Sequence, residues 1–340
     1  MTGDVSDASP GGEGEGGPAA VGPPAVGRWR ALGGAVIVLV AASAAVLAVY
    51  HQRHSVGSAF ERMGVGALAL ALLFGLIGVG ATYPVWWQVL SGLGVRLPVA
   101  DGAGLFFTTQ LGKYVPGAVW PVLMQMEAGR RRGAPRREML AANLLTALVS
   151  CTSGLLLGAT ILPFYAPGAL SRYWWGLLAV PPLVALLHPR ALIGLLDVAA
   201  RLLGRPVRGG RLEGASERRA FGWAFMSWAA LGLQVAVLVS SLRGWSGSVL
   251  LLSVGAMGLS VALGVLFVPA PAGAGVRDVV LALALGSVLT TGQAIAVVLV
   301  TRSVTVVSDL LMAGIGAAAR GAWSSAGERT RTSTPFGTRT

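Results

Sequence analysis

Between residues 31 and 319 the chain is a succession of apolar runs of about twenty residues, most without a charge. A run of that length matches the roughly 20 residues a helix needs to cross a hydrocarbon core of about 30 Å. This feature decides the solvent. Charged residues make up 12% of the chain and AVILMFWYC 54%, against about a quarter charged in a soluble domain. A globule of 340 residues could not be coated with so few polar groups. The expected fold is therefore an all-α, polytopic membrane bundle, because lipid leaves every backbone polar group to be satisfied within helices.

Eight spans are predicted: 31–50, 65–90, 139–162, 173–188, 220–242, 248–268, 279–300 and 303–319. The fourth is short and contains Pro181-Pro182, and the last two are separated only by Thr301-Arg302, which reads as a tight hairpin. Residues 1–27 are rich in Gly, Pro and acid, and 320–340 are similarly polar. Both read as disordered tails around a transmembrane domain at 28–319.

The charges that remain carry orientation. The chain has 26 Lys+Arg and 14 Asp+Glu, a net +12; four acids lie in the first 27 residues, so the other 313 balance 26 bases against 10 acids, or +16. Bases crowd into 91–138 and 189–219 and are sparse in the alternate loops. Under the positive-inside rule this predicts an even number of spans in the cytoplasmic membrane, with both termini cytoplasmic. Basic loops facing anionic head groups account for the charge, so nucleic acid is not expected as a partner. Trp29, Trp86, Trp87, Trp174, Trp175 and Trp245 fall near span ends, as an interfacial belt would. Residues 190–205 have helical apolar spacing and read as an interfacial helix or a continuation of the fourth span.

Conventional catalytic chemistry is absent from the pattern. The one cysteine, Cys151, lies in an apolar run, and His51, His54 and His188 are scattered. No metal site, cofactor motif, nucleophile elbow or phosphate loop is present. An enzyme is not expected.

Two apolar segments are interrupted. Residues 104–133 carry Lys113, the single lysine, followed by Pro116-Gly117. Proline removes a donor and clashes with the preceding turn, so a helix breaks there. Broken backbone at membrane depth must be buried in protein or line a wet cavity. The segment reads as re-entrant or interfacial helix, break, and second helix ending at Arg130–Arg132; the alternative is a surface loop with a snorkelling lysine. The second interruption, residues 268–279, contains Pro269, Pro271, Gly273 and Gly275, after which Arg277 and Asp278 open a helix. Its amides and Arg277 form an anion-binding corner, or else a plain tight turn. Paired interruptions of this kind mark substrate sites in transporters.

Asp309 is the only carboxylate deep inside a predicted span, with Arg302 seven residues earlier on the same face. An intramembrane acid is costly, which offers two roles: coupling of transport to a proton or cation, or a structural polar contact. Glu127 stands at i,i+3 and i,i+4 from Arg130 and Arg131, and Gly154 and Gly158 form a GxxxG pair.

The stretch Phe107–Trp120 (FTTQLGKYVPGAVW), the Arg-rich turn ending at Gly133, and the later P-x-P-x-G-x-G-V-R-D together resemble the lysylphosphatidylglycerol synthase transmembrane region family, whose members are often termed flippase-like. The resemblance covers roughly residues 30–320. It implies Gln110, Gly112, Lys113, Tyr114, Pro116 and Gly117 as the first functional element, and Pro271, Gly273, Gly275, Arg277 and Asp278 as the second. The family usually has Glu where this chain has Asp278, and many members have an acid in the span where this chain has Asn143 and Thr146. Full-length synthases also carry a soluble aminoacyl-transferase domain, which this chain does not show, so lipid aminoacylation by it alone is not expected. The resemblance implies translocation, or assistance in translocation, of an anionic phospholipid or lipid-linked precursor. The alternative is a non-catalytic scaffold with a protein partner in envelope lipid or polysaccharide assembly.

Overall fold

The computed structural model describes residues 53–114, 119–165, 174–188, 214–266 and 275–332, with a few positions between 190 and 198. The expected span 31–50, the tail 1–27, most of 190–205, and Pro116, Gly117, Pro269, Pro271 and Gly273 lie outside the described residues. Among the described residues all regular structure is helical. The elements are α1 (Arg53–Gly92, broken at Gly64, whose φ of 54° is not helical), α2 (Val99–Gln110), a 3-10 turn (Leu111–Tyr114), α3 (Trp120–Arg130), α4 (Arg136–Tyr165), a 3-10 turn (Trp174–Ala179), α5 (Val180–Ala185), α6 (Gly214–Arg243), α7 (Gly247–Leu266), α8 (Val276–Leu285) and α9 (Thr291–Thr332). Among the described residues five stretches are long and apolar enough to cross a membrane: Glu61–Gly92, Arg136–Tyr165, Gly214–Arg243, Gly247–Leu266 and Thr291–Ala319. The chain is a polytopic helical membrane protein, as expected.

Helix directions follow from close approaches. Gly78 of α1 packs on Leu231 of α6, and Ser227 donates to the Gly78 carbonyl at 2.8 Å, while Gly75 faces Gln234. Rising numbers on α1 meet falling numbers on α6, so the two are antiparallel. The expected GxxxG contact is present between α4 and α7: a Cβ on Gly154 would lie 2.7 Å from the Gly258 carbonyl oxygen, and Gly158 abuts Leu259. Bare glycines let these backbones touch where lipid supplies no hydrophobic drive. Trp228 Nε1 donates to Ser153 Oγ at 2.9 Å, tying α6 to the same layer. In contrast, α9 runs parallel to α1, because Gly75 faces Val304 and Ser308 while Gly80 faces Met312.

Two expectations about spans are corrected. The expected fourth span is a 3-10 turn followed by the six-residue helix α5, only about 9 Å long. Pro181 and Pro182 stand at the first positions of that helix, where a missing N–H costs nothing, and so start a short element instead of kinking a long one. The hairpin expected at Thr301-Arg302 is also absent; both residues lie inside the continuous helix α9. The break comes earlier, at Gly286–Thr290. There Gln293 N–H donates to Thr290 Oγ1 at 3.4 Å and Thr290 N–H donates to Gln293 Oε1 at 3.1 Å. This reciprocal cap starts α9. Trp86 departs from the interfacial belt as well: it is fully buried, with its ring 5.4 Å from that of Phe106.

Candidate functional site

The first interrupted segment is a hairpin that enters and leaves on one face. Its entry is fastened to the end of α1, where Tyr83 OH donates to the Val99 carbonyl at 2.8 Å and Trp87 Nε1 to the Leu97 carbonyl at 3.3 Å. Phe106 and Phe107 then pack against Tyr83 as tilted rings with centroids 5.8 Å apart in each case. Helix α2 runs antiparallel to α9, from Gly316 packed on Ala103 to Asp309 at Lys113 and Tyr114. Helix α3 brings the chain back: Gly112 packs on Pro121 and Met124 at the tip, and Gly129 packs on Met139 at the start of α4. A side chain on buried Gly112 would meet the Pro121 nitrogen at 3.2 Å, so the two arms close tightly only around glycine.

The tip reaches the middle of the bundle. Met312 is level with Gly80 and Ser308 with Gly75, so Asp309 stands midway along the span Glu61–Gly92. Lys113 does not snorkel outward from a loop. Its Nζ is 2.7 Å from Asp309 Oδ2, with the Asp309 side chain only 5% exposed. Tyr114 OH donates a hydrogen bond to the same oxygen. Gln110, half-buried, closes α2 one turn before.

The second segment delivers a half-length helix to the same depth. Helix α8 has ten residues, about 15 Å. Its far end lies where Arg243, the last residue of α6, donates to the Val288 carbonyl. Its N-terminus begins at Gly275, whose φ of 88° suits a residue without Cβ. Asp278 accepts from the Gly275 N–H at 3.1 Å and from Arg302 Nη1 at 3.2 Å. One carboxylate thus caps α8 and pins it to α9. Arg277 extends to Met257, halfway along α7, with Nη2 at 3.9 Å from Sδ.

The two segments form one electrostatic cluster. Arg277 interacts across space with Arg302, Asp278, Asp309 and Tyr114, and Tyr114 with Arg277, Arg302 and Asp309. Lys113, Arg277 and Arg302 oppose Asp278 and Asp309, a balance of +1. Lys113 and Arg302 each hold a carboxylate. Among the described residues no carboxylate pairs with Arg277. An arginine outside both ion pairs of the cluster is costly at membrane depth, and a helix N-terminus beside it favours an anion.

The connecting element was not read from the sequence as such. Arg302 and Asp309 lie about 10 Å apart along α9 and do not pair with each other. Arg302 takes the second segment and Asp309 the first. Their seven-residue spacing was visible, but only the packing of α9 between the two segments assigns each a partner.

Residues 30–313 match the family described as the lysylphosphatidylglycerol synthase TM region. The chain belongs to this family. No match was found among curated proteins. Both interrupted segments and Asp309 fall inside the matched range, so the charge cluster lies within the part of the chain that defines membership. The family places the protein in membrane lipid and envelope biosynthesis.

Proposed function

We propose that this protein translocates, or assists the translocation of, an anionic phospholipid or lipid-linked precursor across the cytoplasmic membrane. The observation that carries this reading is Arg277, a cation without a described carboxylate partner at the mid-depth meeting point of two broken segments. Lys113 and Arg277 would hold the phosphate, and Tyr114 and Gln110 would hydrogen-bond the head group. Gly275, which has no Cβ, would leave room for it at the start of α8, and Pro116, Gly117 and Gly273 are assigned to the same site from the sequence. Asp309 would act as the coupling residue, exchanging Lys113 and Tyr114 with the incoming anion. No part of this requires a covalent step, and we assign the protein no enzymatic role.

In this reading the face carrying the end of α1, the mouth of the hairpin and the start of α4 is cytoplasmic, since Arg130–Arg132, Arg136 and Arg137 lie there. Both termini are assigned to the cytoplasm. The direct test is head-group accessibility in proteoliposomes with labelled anionic lipid. Faster exchange with protein than without it, lost in Lys113→Ala and Arg277→Ala, supports the proposal; equal exchange in all samples overturns it. The exposed arginines of the hairpin mouth favour one alternative, a scaffold that recruits an envelope-assembly partner. Stable co-purification of such a partner, with no exchange by the protein alone, would select it.

A further inference from the structure

Outside the central cluster, the surface of the hairpin holds a second arrangement that fits a ligand. A cavity of about 760 Å³ opens along α3. Thr109 lines it from α2, and Trp120, Leu123 and Met124 form its apolar wall. These three wall residues are 45–49% exposed. Arg131 and Arg132, past the last turn of α3, stand at the opposite end together with the Glu127 carboxylate, two bases against one acid. The volume lies within the roughly 300–1,000 Å³ usual for small-molecule sites.

The dimensions and the polarity select the occupant. Helix α3 has 11 residues, about 16 Å, close to half of a 30 Å hydrocarbon core. It therefore extends from the hairpin tip, at the middle of the bundle, to the basic mouth on one face. A molecule lying along it would have apolar contacts for one leaflet's depth and guanidinium groups at head-group level. Arg132 Nη1 is steered by the Ala128 carbonyl at 2.9 Å, and Arg131 Nε by Glu127 Oε1 at 3.3 Å. Glu127 also receives Arg130 at 2.8 Å and Arg136 at 2.9 Å. One carboxylate thus organises three guanidinium groups and leaves the mouth strongly positive.

We propose that this groove is a loading site for a single anionic phospholipid from the leaflet on the hairpin-mouth side. Its phosphate sits at Arg131 and Arg132, and its acyl chains lie against Trp120, Leu123 and Met124. The inner end of the groove adjoins the tip, because Trp120 and Met124 pack on Gly112, the residue before Lys113. The groove thus points its lipid toward the central cluster. This inference rests on the transport reading above and gives it an entry point.

The test is native mass spectrometry of the full chain in detergent, titrated with dioleoyl phosphatidylglycerol or dioleoyl phosphatidylcholine. The protein should retain one phosphatidylglycerol in preference to phosphatidylcholine. Arg131→Gln with Arg132→Gln should weaken phosphatidylglycerol by about thirtyfold, the sum of two interfacial cations. Ala128→Trp, which fills the groove and leaves both arginines, should weaken both lipids; Ala128→Met serves if the tryptophan variant does not fold. Lys113→Ala with Arg277→Ala should keep the groove lipid. Undiminished binding in the filled variants would overturn the groove and leave only a charge effect. Loss of binding in Lys113→Ala/Arg277→Ala but not in the groove variants would place the lipid at the central cluster, overturning the groove while the transport reading stands. Groove-dependent binding with no head-group exchange by the wild-type protein would retain the groove and sink the transport reading.

Discussion

Lys113 and Asp309 pair at 2.7 Å in the middle of the bundle, one on the tip of a hairpin and the other on a membrane-crossing helix. The pair joins the first interrupted segment to α9. Removing one partner leaves a charge at low dielectric, which costs more than the pair contributes. Asp309→Asn should therefore destabilise the protein, and Lys113→Met added to it should restore part of the loss. Thermal unfolding of both single variants and the double variant should give a coupling of about 1–3 kcal/mol. Additive effects would mean that the two side chains do not interact.

Arg277 and Arg302 should separate function from stability. Arg302 holds the carboxylate that caps α8, so Arg302→Ala should lower the unfolding temperature. Arg277 has no such bond to lose among the described residues. Arg277→Ala should leave stability nearly unchanged and cut anion exchange by about tenfold or more, the value of one charged hydrogen bond. Unfolding scans and exchange assays on the same preparations decide the matter; a reversed pattern would assign Arg302 to the substrate and Arg277 to the fold.

The crossing of α4 and α7 depends on the absence of a side chain. A Cβ at Gly154 would meet backbone, the Gly258 carbonyl oxygen at 2.7 Å, and no rotamer can relieve that contact. Gly154→Ala should cost about 1–3 kcal/mol through overpacking. Gly222 has open space around it, so Gly222→Ala should cost far less at the same helix periodicity. Paired denaturation in mild detergent measures both.

At the hairpin mouth, hydrogen bonds from Arg130, Arg136 and Arg131, in that order of effect, hold the Glu127 carboxyl well below the ordinary carboxylate range. The sign follows from linkage: a depressed folded-state value adds stability above the unfolded value and loses it as pH falls through the folded one. The stability difference between wild type and Glu127→Gln should therefore be flat from neutral pH down to about 5, above the ordinary Glu value of roughly 4.3, and shrink only below it. The site is exposed, so the effect should be small and weaken with salt. A difference that changed near pH 7 would show that the carboxylate is not held by the arginines.

Much of this protein was legible before folding. Twenty-residue apolar runs dictate membrane helices because lipid tolerates no unsatisfied backbone, and a lysine before Pro116-Gly117 cannot continue an ordinary span. The same logic singled out Gly275, Arg277 and Asp278. Other features depended on contacts that periodicity does not contain. Thr301-Arg302 looked like a turn because polar residues interrupt an apolar run; with Asp278 at 3.2 Å, Arg302 is satisfied inside a helix, and the true start of α9 is the Thr290–Gln293 cap. Pro181-Pro182 resembled a kink and instead begins a short helix. Local composition was enough to settle the solvent, the helical class and the two breaks. That α9 lies between the breaks and divides its two charges among them follows from packing, because a charge in a bilayer is assigned by the nearest opposite charge in space.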